Sequence, residues 1–311
     1  MFGTYRLILA LLVALSHFGF TKAGLHPGQW AVIAFYILSG FLMERQFTKL
    51  APTGILSFYI DRILRIYPLY IVALILTIPF FQITWQEVIV NAALIPLNYY
   101  EFTNTHLLIG PAFSLACEVH FYLLVPFLAT RSTKTLRIIF WSSLFIFAIS
   151  PFLHYNTFFA YTGIPGTLFI FITGIFINRN EEKTVKAAQV VIPILLVLFG
   201  LSKFFPTGLH SGINISVCIG YILAVPIIQR LVVLSPKNKW DKALGLLSYP
   251  LFLIHETVKL ALQKEFQVSN ILMQLFISVI VAALLVFIVE KPFDYLRYRI
   301  RKNEKTSSVA T

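Results

Sequence analysis

The amino-acid sequence predicts an all-α fold, a polytopic membrane bundle of about ten transmembrane helices with both termini in the cytoplasm. Three observations predict it. Hydrophobic residues make up 58% of the 311-residue chain and charged residues only 12%, against about 25% charged residues in ordinary soluble domains. Apolar runs of bilayer length recur along the chain, and basic residues concentrate in every second connection between them. This composition excludes a soluble globular enzyme, a disordered chain and a fibrous repeat.

The predicted spans follow from the lengths of the apolar runs, since a transmembrane helix needs roughly 20 mostly apolar residues. The spans are 5–21, 30–45, 66–83, 112–130, 137–153, 161–177, 187–204, 213–234, 244–264 and 269–290. Segment 86–100 is a weaker candidate, which we expect to be re-entrant or interfacial. We predict one transmembrane domain over residues 1–292 and a basic, disordered cytoplasmic tail over residues 293–311.

The net charge of +12 would suggest nucleic-acid binding in a soluble protein, but its distribution follows a membrane topology. Lys and Arg collect at the N-terminus, in alternate connections and in the tail. The opposite connections hold only Lys22, Lys203, Lys259 and Lys264. The positive-inside rule places the basic side in the cytoplasm. We therefore expect the partner surface to be a lipid bilayer and not nucleic acid.

Ionisable side chains within apolar helices are functional-site hypotheses by default. Arg6 and His17 are eleven residues apart in the first span, which puts them on one helix face about 16 Å apart along the axis. Imidazole titrates near neutral pH, so His17 is a candidate general base. The alternatives are a basic topological flank for Arg6 and a hydrogen-bonded interior histidine for His17.

Arg62 and Arg65 form a second basic pair, at the predicted cytoplasmic mouth of the third span. Their i, i+3 spacing places both guanidinium groups on one helix face. Two such forks suit the oxygens of phosphate or pyrophosphate groups. The alternative is again a topological flank.

Ser114, Glu118 and Tyr122 form a polar stripe along the fourth span, with i, i+4, i+8 spacing. The carboxyl group of Glu118 needs a partner on another helix, such as a histidine or an arginine. A catalytic role for Glu118 competes with a purely structural pair between helices.

His255 falls in the middle of the ninth span, where it is either a second candidate base or a satisfied core histidine. Ser39 and Gly40 offer a small surface for close helix approach. The hydroxyl of Ser39 is also a candidate ligand contact.

Taken in order, these motifs resemble those of the bacterial acyltransferase family 3, the membrane-embedded O-acyltransferases of cell-surface saccharides. The resembling elements are Arg6 with His17, then residues 35–41, 62–70, 113–122, 248–255 and 290–292. Three positions depart from the family pattern. Phe113 replaces a Trp, Phe252 replaces a common Tyr, and Asp61 replaces a frequent first Arg of the basic cluster. The last change removes one phosphate contact.

The resemblance implies transfer of an acyl group, most often acetyl, from cytosolic acyl-coenzyme A to a hydroxyl of a cell-surface saccharide or glycolipid. It implies no metal, a multi-pass location in a bacterial cytoplasmic (inner) membrane, and leaves room for a separate extracytoplasmic partner. The expected catalytic residues are His17, Glu118, Arg6 and His255, and the expected donor-binding residues are Arg62, Arg65, Ser39 and Tyr122.

In this scheme His17 acts as general base, Glu118 orients it or stabilises its cation, and His255 is a second base or an acyl carrier. Arg6 holds the pantetheine end of the donor or polarises its thioester carbonyl. The main alternative function is a secondary transporter or flippase of a glycan or small metabolite. Against it, the sequence shows neither an inverted hydropathy repeat nor paired discontinuous helices.

Overall fold

The computed structural model describes residues 2–21, 26–50, 54–204, 211–234 and 239–309, with side chains as far as residue 300. All regular elements in these ranges are helical. The α-helices are α1 (Phe2–His17), α2 (Pro27–Leu50), α3 (Ile55–Thr77), α4 (Trp85–Ala93), α5 (Tyr100–Thr103), α6 (Ala112–Ala129), α7 (Thr133–Ile149), α8 (Ile164–Asn178), α9 (Glu182–Ser202), α10 (Gly212–Leu234), α11 (Lys239–Glu265), α12 (Ile271–Leu285) and α13 (Lys291–Val309). Short 3₁₀ segments are Ile78–Phe80, Ile95–Tyr99 and Ser150–Phe152, and π-helical segments are Phe158–Thr162 and Val286–Glu290.

Each predicted span overlaps one helix, namely α1, α2, α3 or one of α6 to α12. In the described ranges, seven helices are long and apolar enough to cross a membrane. Helix α1 is too short to meet this criterion with 16 residues, and α2 and α11 do not meet it either. The count of ten spans and the cytoplasmic location of both termini therefore stay predictions. Residue Lys22 of the first outer connection lies outside the described residues.

Segment 86–100, the weaker span candidate, overlaps α4, which is nine residues long and too short to cross a bilayer. A capping box begins this helix: the hydroxyl of Thr84 accepts the backbone N–H of Glu87, and the carboxylate of Glu87 accepts the N–H of Thr84. This pair satisfies two backbone donors at the helix start.

Close helix contacts place α1 and α2 at the centre of the bundle. Helix α1 packs along α11 and against α2, while α2 also packs against α8 and α10. A Cβ placed on Gly3 would overlap the backbone oxygen of Asp241, and one on Gly40 would overlap that of Phe171. The predicted close approach at Ser39 and Gly40 is thus confirmed, because only glycine lets the backbones of α2 and α8 approach this far.

Helix α13 begins at Lys291 and runs through the predicted domain boundary at residue 292. Its Arg297 is buried, and its Nε lies 3.0 Å from Oδ1 of Asp61 on α3. The described start of the tail is therefore helical and packed, in contrast to the predicted disorder, because a buried ion pair holds it on α3. The division of the chain at residue 292 stays a prediction.

Candidate functional site

A cavity of about 960 Å³ lies between α1, α2, α3, α6, α11 and the start of α13. Six of the predicted site residues line it, namely Arg6, Ser39, Arg62, Arg65, Glu118 and Tyr122. Its basic lining residues are Arg6, Arg45, Lys49, Arg62, Arg65, Lys242 and Arg297, and its acidic ones are Glu118, Asp241 and Asp294. The excess of basic over acidic side chains favours an anionic ligand.

Arg6 is the central cation of this cavity. It is half-buried on α1 and interacts electrostatically with Arg65, Glu118 and Glu290. Its guanidinium group makes no hydrogen bond or ion pair with any residue in the described part of the chain. Arg6 therefore has donor groups available for a ligand that enters the cavity.

Arg62 and Arg65 were expected to bind phosphate groups with their guanidinium forks, and in the structure each of them has a carboxylate partner. Arg62 is paired with Asp61, which also holds Arg297, and Arg65 is paired with the buried carboxylate of Glu290. Both arginines still line the cavity. Their charges are partly neutralised because a guanidinium group in apolar surroundings requires a carboxylate partner. No role was expected for Glu290, although it lies in the family-like motif at residues 290–292.

Glu118 accepts a hydrogen bond from the hydroxyl group of Tyr122, with an oxygen–oxygen distance of 2.5 Å. The pair lies on one turn of α6, and the hydroxyl of Ser39 lies next to Tyr122. Glu118 was expected to orient His17. Within the described residues it makes no hydrogen bond or ion pair with His17 and lines the basic cavity instead, so this predicted pairing is wrong.

His17 and His255 meet at the other end of α1. The Nε2 atom of His255 lies 3.3 Å from Nδ1 of His17, and the two ring centroids are 5.0 Å apart. His255 is fully buried, whereas His17 is half-buried. Both were candidates from the sequence, but their contact joins α1 to α11 and could not be read from either helix alone.

Two residues of α11 that the sequence analysis missed complete this cluster. Oε1 of Glu256 lies 3.9 Å from Nδ1 of His17, and Oε2 accepts the backbone N–H of Gly110 at 2.6 Å. The ammonium group of Lys259 donates to the backbone oxygen of His17 at 2.5 Å. The available signal was two further ionisable residues close to His255, Glu256 directly after it and Lys259 one helical turn later.

His17 also lines a second, smaller cavity of about 220 Å³. Its other lining residues include Ser16, His26, Gln29, Val32, Phe113, Ser114 and Tyr161. Val32 and Ser114 line both cavities. The smaller cavity, named the histidine pocket after His17, therefore adjoins the large basic cavity, and these two side chains lie between them.

Comparison with known proteins identifies a family to which this chain is similar. The family model described as an acyltransferase domain matches residues 5–290, which include every predicted site residue. An uncharacterized protein of Aquifex aeolicus (strain VF5) is 26% identical over 203 residues, which cover 62% of this chain and 91% of that protein. No solved structure matches.

Proposed function

Because this chain belongs to acyltransferase family 3, we propose that it is an O-acyltransferase of the bacterial inner membrane. It moves an acyl group, most often acetyl, from cytosolic acyl-coenzyme A to a hydroxyl group of a cell-surface saccharide or glycolipid. The observation that carries the proposal is the adjoining of a basic cavity and a histidine pocket at Val32 and Ser114. The first suits an anionic donor and the second an acceptor hydroxyl.

The donor side of the proposal rests on charge. Arg45, Lys49 and Lys242 line the large cavity and have no ion-pair partner among the described residues. They are suited to the phosphate groups of coenzyme A, which bind strongly to cationic donors. Arg62 and Arg65, already paired, border this phosphate site. Ser39 and Tyr122 also line this cavity, and we assign them to contacts with the pantetheine arm.

Arg6 would act at the thioester. Its unpaired guanidinium group is positioned to hold the pantetheine end or to stabilise negative charge on the thioester oxygen as the acceptor attacks. Preorganised donors of this kind stabilise a transition state because charge develops next to them. Glu118 keeps Tyr122 in place beside Arg6 and moderates the positive charge there.

The acceptor side rests on the smaller pocket. Gln29, Ser114 and Tyr161 supply polar groups there, and Phe113 supplies an apolar face. The side-chain oxygen of Gln29 is buried and accepts no hydrogen bond within the described part of the chain. Binding sites that combine a few polar groups with an aromatic wall suit hydroxylated rings.

In the proposed reaction Nε2 of His17 removes the proton of the acceptor hydroxyl as the oxygen attacks the thioester carbonyl carbon. The carbon–sulfur bond then breaks, and the proton passes from Nε2 to the departing thiolate. The products are the O-acyl ester and free coenzyme A. General base catalysis of this kind contributes about 10²–10⁴-fold in rate. Direct transfer is preferred because the site contains no evident activated nucleophile.

The experiment uses membranes that contain the full chain and radiolabelled acetyl-coenzyme A, with label measured in extracted glycan and glycolipid. Wild type and the control His154→Ala, an exposed histidine outside both cavities, should transfer label. His17→Ala, at equal membrane level, should not.

Labelled product from His17→Ala would exclude His17 as the base. Uptake or translocation of substrate without label in any extract would favour the transporter or flippase instead. A third outcome is transfer in membranes but not in liposomes that hold the purified protein and the same acceptor. This outcome would assign part of the transfer to a separate extracytoplasmic partner.

A further inference from the structure

The hydrogen bonds of His255 determine which of its nitrogens carries the proton. Nδ1 of His255 lies 3.0 Å from the backbone oxygen of Leu251, one helical turn earlier. A carbonyl oxygen only accepts, so Nδ1 must donate. Full burial favours the neutral imidazole, because an isolated charge in apolar surroundings is strongly destabilised. In neutral His255 the Nε2 atom therefore bears a lone pair.

This lone pair determines the tautomer of His17. Nε2 of His255 faces Nδ1 of His17 at 3.3 Å, and an acceptor there requires a proton on that Nδ1. Neutral His17 then carries its lone pair on Nε2. That atom has no hydrogen-bond partner among the described residues, and His17 lines the smaller pocket. The nitrogen left free is the one that a general base needs.

Glu256 is placed to stabilise His17 once it is protonated. Its Oε1 atom lies 3.9 Å from Nδ1 of His17, and the N–H of Gly110 holds its other oxygen. Lys259 contacts the backbone of His17 and opposes a positive charge on it. The negative charge of Glu256 offsets the positive charge of Lys259 and that of protonated His17. The other titratable groups around His17 in the described ranges are His255 on α11, and His26 and Tyr161 in the pocket wall.

We infer that His255 and Glu256 are positioning residues for His17: His255 fixes its Nδ1–H tautomer and ring orientation, and Glu256 stabilises the imidazolium. The inference rests on the proposed function. During the reaction Nε2 of His17 takes the acceptor proton and later gives it to the thiolate, while Nδ1–H keeps its hydrogen bond to His255. Neither positioning residue gains or loses a proton, and His17 returns to its starting tautomer.

Two substitutions of His255 separate this role from simple packing. In His255→Gln, the side-chain oxygen can take the place of Nε2 and accept from His17. In His255→Asn, the shorter side chain reaches only as far as Nδ1 and can bond only Leu251. We expect His255→Gln to keep kcat within about tenfold of wild type. We expect His255→Asn to lose a further 10–100-fold, the usual range for a supporting partner of a functional histidine.

The measurement is label transfer in membranes at matched protein level, with KM determined separately for donor and acceptor. Both KM values should stay unchanged, since neither side chain is assigned to a substrate. Equal loss in the two variants, or a change confined to KM, would overturn the role of His255. In either case wild type still transfers label, so the proposed function stands. Absence of transfer by wild type would refute the proposed function instead.

Glu256→Gln tests the second positioning residue, because the amide oxygen can still accept the N–H of Gly110 while the charge is lost. We expect a lower kcat and an acidic limb of the kcat pH profile displaced to lower pH, since protonated His17 is no longer stabilised. The control is Glu265→Gln, an exposed carboxylate on the same helix, which should leave the profile unchanged. An unmoved limb in Glu256→Gln would overturn the role of Glu256.

Discussion

His17 and His255 lie in direct contact, Nδ1 to Nε2 at 3.3 Å, although 238 residues separate them in sequence. The contact joins the end of α1 to the middle of α11, and it occurs where α1 leaves the basic cavity and reaches the histidine pocket. One helix thus carries Arg6 in the first compartment and His17 in the second. Substitutions at the two ends of α1 are consequently expected to affect different steps, the stabilisation of the thioester at Arg6 and the removal of the acceptor proton at His17.

Arg6→Ala should lower kcat by about 10²-fold or more, because a preorganised donor to the reacting thioester is removed. Stability should be unchanged, since Arg6 has no ion-pair partner in the described ranges whose loss would leave a buried charge. The measurements are label transfer and thermal unfolding in detergent. Normal activity, or a fall in activity that parallels a fall in melting temperature, would contradict the role in catalysis.

Gln29→Leu should raise the acceptor KM several-fold and leave the donor KM unchanged, because Gln29 lines the smaller pocket and its side-chain oxygen has no partner among the described residues. Loss of one hydrogen bond to a neutral ligand corresponds to about 0.5–1.5 kcal/mol. Steady-state kinetics with each substrate varied in turn provide the test. A change in donor KM alone would place the acceptor elsewhere.

Arg65→Ala should lower the free energy of unfolding by about 3–5 kcal/mol, because it leaves the buried carboxylate of Glu290 without its partner. Glu290→Ala should cost less, since the half-buried Arg65 that it leaves still lines the cavity. The double variant should be less unstable than the sum of the two. Lys186→Ala is the control, since its ion pair with Glu182 is solvent-exposed and such pairs contribute about 0–1 kcal/mol. Strictly additive effects in a denaturant titration would show that Arg65 and Glu290 are not coupled.

Gly40→Ala should lower the free energy of unfolding by about 1–3 kcal/mol, because the new Cβ would overlap the backbone of Phe171 on α8. Gly200→Ala on α9 is the control, since no atom lies within 4 Å of its added Cβ. That change should be neutral or slightly stabilising, because alanine favours helix more than glycine. Equal melting temperatures for the two variants would argue against tight packing of α2 on α8.

Acidification should loosen the start of α4. Hydrogen bonds from Thr84 lower the pKa of Glu87 below its ordinary value of 4.5, with a smaller contribution from His106. A carboxyl group with a lowered pKa stabilises the folded form above its ordinary pKa, and this stabilisation is lost as pH falls through the lowered value. Amide hydrogen exchange in α4 should therefore increase in that range. Thr84→Ala should show the faster exchange already at neutral pH.

Sequence reasoning located the helices because hydrophobic run length is a local property. Each predicted span overlaps one helix. The polar positions within these runs were found in the same way, and six of them line one cavity. Burial of an ionisable group in an apolar helix is visible in the sequence even when its partner is not.

The partners were decided by the tertiary structure. Arg62 and Arg65 turned out to be paired with Asp61 and Glu290, and the residues beside His17 are His255 and Glu256 of α11 instead of Glu118 of α6. Which side chains meet depends on the rotation and pairing of helices that are distant in sequence. Those are set by packing between helices, such as the glycine contacts of α1 with α11 and of α2 with α8, and no single helix contains that information.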